Sequence, residues 1–109
     1  MQTYKVVVSE LAKTDLQAIV SYISNSESVV RAKQVERGIL SEMKRLACFP
    51  TAYPKDEYAS VDNWEIRFII KWHYKILFFI DADTVQIVGI FHTAQNPNKL
   101  TIWHKFSNA

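Results

Sequence analysis

WEIRFIIKWHYKILFFIDADTVQIVGIFHTAQNP, residues 64 to 97, decides the fold. Read with a period of two, it resolves into three consecutive strands. Trp64, Ile66, Phe68 and Ile70 share one face of the first, and Glu65, Arg67, Ile69 and Lys71 the other. In the second, Tyr74, Ile76, Phe78 and Ile80 alternate with His73, Lys75, Leu77 and Phe79. Asp81, Ala82 and Asp83 supply a turn. Val85, Ile87, Gly89 and Phe91 then alternate with Gln86, Val88, Ile90 and His92. Short turns force antiparallel neighbours, so the segment predicts a three-stranded meander. Its cationic and imidazole side chains, Arg67, Lys71, His73, Lys75 and His92, are expected to gather in one small region. Such a cluster is what a phosphate backbone requires.

Upstream, Tyr4 to Val8 is a short β-rich run. Ser9 suits an N-cap, and Glu10 stands favourably against the helix dipole. Ala12, Leu16, Ile19, Val20 and Ile23 recur at helical spacing, and Ser24, Asn25 and Ser26 close that helix. Ser28 caps a second, whose apolar stripe is Ala32, Val35, Ile39, Met43 and Leu46. A short polar turn between two amphipathic helices makes an antiparallel hairpin. Gly38 costs about 1 kcal/mol against Ala in a helix interior, so it either permits a close approach or is tolerated. Pro50 is expected to stop the second helix. Phe49 to Asn63 then reads as a long connection without periodicity, of a length that is often functional or hides a short element. Tyr53 and Tyr58 within it either stack on a base or cover the core. Asn96 and Pro97 break the last strand. In the tail, Leu100, Trp103 and Phe106 recur at three-residue spacing and favour a helical turn over a further strand. The helices cover one sheet face, and the opposite face, carrying Arg67 and Lys75, is expected to be open.

The 109 residues make one domain, 1–109, of the α+β class. Six Phe, five Tyr and three Trp suffice for a packed core and argue against disorder. A net charge of +2 is small for a protein that coats DNA, so any nucleic-acid contact rests on a local cluster. Cys48 has no partner for an internal disulfide and fits a reducing cytoplasm. It is expected to be buried at the end of the second helix. The first residues lack the basic and apolar regions of a signal peptide, and Ile76 to Ile80 is too short an apolar run to cross a bilayer. His73, His92 and His104 lack metal-site spacing, so no metal or cofactor is expected.

Four stretches, in order, resemble the RelE/ParE superfamily of bacterial toxins. SELAKTDLQAIVSYI is similar to its first helix, MKRLACFPTAYP to the end of its second, and IRFIIKWHYKILFFID to its paired strands. VGIFHTAQNPNKL resembles its final-strand signature, in which the position of Ala94 is usually Arg. The resemblance implies a toxin of a type II toxin–antitoxin system, cytoplasmic and growth-inhibiting, related to plasmid stabilisation proteins. Its partner would be a cognate antitoxin. ParE-like members inhibit DNA gyrase and are not enzymes; RelE-like members cut messenger RNA on the ribosome. The FPTAYP connection and the thin set of acids and bases favour the ParE-like branch. On either branch Arg67, Lys71 and Lys75 would bind target or nucleic acid. Were the chain RelE-like, Arg67 would stabilise the transition-state charge and His92 would act as the acid. Ala94 also leaves open an inactive member that only binds antitoxin. Leu11, Ala18, Tyr22, Trp103 and Phe106 are candidates for antitoxin binding.

Overall fold

A computed structural model describes residues 3–61 and 64–93. The expectations for Ala94, the Asn96-Pro97 break and the tail, including Trp103, His104 and Phe106, lie outside the described residues. Along the chain run β1 (Lys5–Val8), α1 (Glu10–Ser26), α2 (Val29–Arg45), a short 3₁₀ turn (Pro50–Ala52), β2 (Lys55–Val61), β3 (Trp64–Lys71), β4 (Tyr74–Asp81) and β5 (Thr84–His92). The five strands form one sheet in the order β1-β5-β4-β3-β2. The expected meander is β3–β4–β5, antiparallel throughout. β1 joins it parallel to β5, a pairing made possible by the helical crossover between them.

Both serine caps form. Ser9 Oγ accepts the Ala12 N–H at 3.0 Å, and Ser28 Oγ accepts that of Arg31 at 3.0 Å. Ser9 Oγ also donates to the Val88 carbonyl, fastening the start of α1 to β5. α2 ends before Pro50. Its last turn tightens through bonds from Leu46, Ala47 and Cys48 to carbonyls three residues back. The Ala47 carbonyl then accepts the Tyr4 N–H at 2.8 Å, which ties the end of α2 to the start of β1. Cys48 is exposed, contrary to the buried position expected of it.

The core lies between the helices and one sheet face. Ala12 and Ile23 of α1 and the whole α2 stripe, Ala32, Val35, Ile39, Met43 and Leu46, are buried against Ile69, Ile76, Phe78, Val85, Ile87 and Ile90. Burying each of the larger side chains contributes about 1.5–3 kcal/mol. Leu16, Ile19 and Val20 pack at its margin. A second cluster, Ile66, Leu77, Phe79 and Val88 with Phe68 and Phe91, occupies the other face.

Three features depart from the sequence reading. First, the aperiodic connection contains β2, whose register against β3 shifts between Lys55 and Ser60. Tyr53 packs on the core, edge-on to Phe78, while the side chain of Tyr58 is outside the described residues. Second, β5 carries a bulge. Leu77 faces Gly89 but Phe78 faces Ile87, so Val88 is the extra residue. Beyond the bulge the alternation inverts: Ile90 joins the helix-side core and Phe91 the opposite cluster. Third, Arg67 and Lys75 do not share a face. Arg67 sits opposite Phe78 on the helix side, whereas Lys75 sits opposite Phe91 with its Nζ 4.4 Å from the Phe68 ring centroid.

Candidate functional site

The five side chains expected to gather are distributed over four places. Arg67 faces the 3₁₀ turn. Its Nη1 donates to the Tyr53 carbonyl at 2.6 Å and to the Thr51 carbonyl at 3.3 Å, and Nη2 lies 3.9 Å from Glu65. Its side chain is only 19% exposed. Lys75 forms an ion pair with Asp56 on the other face of the sheet, and the Asp56 carboxylate is 3% exposed. Lys71 pairs with Glu42 of α2 at 3.7 Å. Each of these cations is engaged by the protein itself, and they do not converge on a common point. Arg67 and His92 are separated by four residues and two strands. That is about 13 Å along the sheet and about 10 Å across it, roughly 16 Å in all. One phosphate cannot touch both.

The histidines do come together. The β3–β4 turn presents His73, and the bulge in β5 turns His92 to the helix side, opposite Tyr74. The two imidazoles stack with centroids 5.7 Å apart and planes 23° apart, and Tyr74 meets His92 edge-on at 5.4 Å. The Thr93 N–H donates to the His73 carbonyl at 2.7 Å and locks the end of β5 to the turn. Where β1 has stopped, Asp15 Oδ2 of α1 accepts the Ile90 N–H at 3.0 Å.

These residues line a groove of about 580 Å³ between the end of the sheet, α1 and the start of α2. Tyr22 and Trp72 stand on its walls, 71% and 45% exposed, with Ala18, Glu27 and Arg31 beside them. Trp72 has φ 54, a left-handed conformation unusual for a bulky residue. Its ring lies against α2 at Gly38, where a Cβ would fall 2.3 Å from Cη2. Gly38 therefore serves a close approach, that of the Trp72 side chain. The Arg31 guanidinium lies 5.6 Å from the Trp72 ring centroid and Lys71 Nζ 4.6 Å from it. Burial pushes the Tyr74 phenol above its ordinary 10.0; Glu27 and Tyr22 push the same way and Arg31 opposes them. Tyr74 is therefore a protonated donor at neutral pH.

Of the candidate antitoxin contacts, Ala18 and Tyr22 line this groove, while Leu11 is half-buried. The sequence reading passed over Arg31, Trp72, Tyr74 and Asp15. Only Trp72 carried a visible signal, a large aromatic residue in the two-residue interval between strands. The approach of Asp15 to Ile90 spans 75 residues and leaves no local trace. No group of three or more potential metal ligands occurs among the described residues.

A family model described as ParE toxin of type II toxin-antitoxin system, parDE, matches residues 6–97. Among solved structures, a chain of the chromosomal ParDE toxin–antitoxin system from P. aeruginosa is similar at a TM-score of 0.69 and 17% identity. The match covers 84% of this chain and 98% of that one, and at such identity it is a likeness of fold. No curated protein matches.

Proposed function

The chain belongs to the ParE toxin family of type II toxin–antitoxin systems, and from that premise we propose that it inhibits DNA gyrase when free and is neutralised by a cognate antitoxin. The observation that carries the gyrase reading is the engagement and distance of Arg67. The RNA-cutting assignment that the resemblance implies puts the transition-state charge on Arg67 and the acid on His92, which must then lie together. Arg67 instead binds backbone carbonyls, roughly 16 Å from His92 by strand geometry. A toxin that acts by binding needs no such pair. Gyrase is a cytoplasmic target, and no helix among the described residues is long and apolar enough to cross a membrane.

The antitoxin is proposed to cover the exposed aromatic wall of α1 around Tyr22 and Ala18, with Trp103 and Phe106 as further contacts. Induced expression alone should arrest bacterial growth, and co-expression of the antitoxin should restore it. In purified assays the protein should stop gyrase supercoiling and leave messages on translating ribosomes whole. Cleavage within codons, with gyrase unaffected, would reverse the assignment in favour of the RelE-like endoribonuclease. Normal growth with abundant folded protein would leave the inactive antitoxin-binding reading.

A further inference from the structure

We propose that the groove between α1, the start of α2 and the β3–β4 turn binds one unpaired nucleotide, a ligand outside the antitoxin and gyrase reading. Its volume, about 580 Å³, falls within the range of small-ligand clefts and is ample for a nucleotide. Its rim is aromatic. Tyr22 holds its ring in solvent on the α1 side, and the exposed Trp72 lines the same groove. Base–aromatic stacking is a large, sequence-tolerant source of affinity for unpaired nucleotides.

The β3–β4 turn fixes one of these rings. Trp72 holds the first position of the two-residue β3–β4 hairpin turn, where a positive φ is the ordinary conformation, as at Ala82 in the β4–β5 turn. The hairpin turn keeps its indole on the groove wall, seated on a glycine and flanked by two cations.

The polar lining selects the class of ligand. Arg31 and the imidazoles of His73 and His92 suit a phosphate. Tyr74, a phenol at neutral pH, can donate to it as well. Glu27 and Asp15 line the same groove and would repel a purely anionic peptide. Asp15 is already bonded to the Ile90 amide. Glu27 supplies carboxylate acceptors for the N–H groups of a base. A ligand that joins a negative group to a flat ring bearing N–H donors satisfies both halves, and a nucleotide is such a ligand. The groove is also distinct from the surroundings of Arg67, and the proposal is one of binding alone.

The test is fluorescence anisotropy with 5′-labelled single-stranded DNA and RNA dodecamers at low salt, using the full chain. Binding should weaken about tenfold in Tyr22→Ala and in Arg31→Gln. Both positions are exposed, so both variants should fold. Lys44→Gln, an exposed α2 cation outside the groove, should bind as the parent does. Unlabelled guanosine or adenosine monophosphate that competes would identify a self-sufficient mononucleotide site. Binding of strands without such competition would identify a site that needs the connected backbone. Absence of binding to either strand and to the monophosphates overturns the proposal. So does an equal loss in Lys44→Gln, which would mark the interaction as general surface electrostatics.

Discussion

Arg67 illustrates how one residue can look like a phosphate ligand and act as a strap. Its sequence setting, a lone guanidinium on a strand, suggests an outward side chain whose loss costs within about 0.5 kcal/mol. In the fold it joins β3 to the carbonyls of Thr51 and Tyr53. Charged hydrogen bonds of this kind contribute more than neutral ones, so Arg67→Ala should lower stability by about 1–2 kcal/mol. Urea denaturation would detect it as a fall in midpoint at constant slope. An unchanged midpoint would mean that the strap carries no net stability. Any loss of toxicity in this variant must therefore be measured per folded molecule.

Tyr74 gives a second residue-scale prediction. Its phenol titrates above 10.0 in the fold because burial disfavours the phenolate. The folded state thus binds this proton more tightly than the unfolded chain does. The associated stability is fully present below the unfolded value of about 10 and is lost as pH rises through the raised folded value. Tyr74→Phe should flatten the alkaline fall in thermal midpoint above about pH 10 and leave the neutral region nearly level. An identical alkaline limb in the variant would assign that fall to other groups.

At the scale of elements, the most readable parts were those whose side chains alternate or recur in one phase. Every residue of the α2 stripe is buried, and both serine caps are made. Ser28→Ala should accordingly cost about 1 kcal/mol. β2 was not legible because KDEYASV lacks an apolar row and its pairing shifts register. The bulge was not legible because Ile87 to Phe91, the stretch that contains it, is apolar whichever way it alternates. That single residue decides where His92 points. The candidate site was therefore only half visible: its histidines and Tyr22 could be named, but not the groove that gathers them. Gly38 tests the groove wall directly. Gly38→Ala gains up to about 1 kcal/mol of helix propensity. The new methyl would meet the far end of the Trp72 ring, a side chain that can swing away. Overall stability should thus change by less than about 1 kcal/mol. The emission of Trp72, isolated by replacing Trp64 and Trp103 with Phe, should shift to the red. An unshifted spectrum would mean that the helix backbone moves instead of the ring.

For the molecule as a whole, the core and the proposed antitoxin contact fall on different sides of α1. Ala12 and Ile23 face the core, with Leu16, Ile19 and Val20 at its edge, whereas Tyr22 projects into solvent at 71% exposure. A large aromatic ring left in water contributes little to folding and is well suited to an interface anchor. Tyr22→Ala should thus shift the thermal midpoint only slightly, consistent with about 0.5 kcal/mol or less for an ordinary surface change. Antitoxin affinity should fall much further, by at least about tenfold if the ring fills a pocket on the partner. Titration calorimetry of the purified pair separates the two effects. In cells, the variant should become harder to neutralise at a fixed antitoxin level while keeping its toxicity. A midpoint that collapses, with unaltered affinity among the folded molecules, would return Tyr22 to the core and move the antitoxin contact to another surface. The groove beside it gives a further means of discrimination. If antitoxin and nucleotide share Tyr22, saturating antitoxin should displace a labelled strand, because one ring cannot serve both ligands at once.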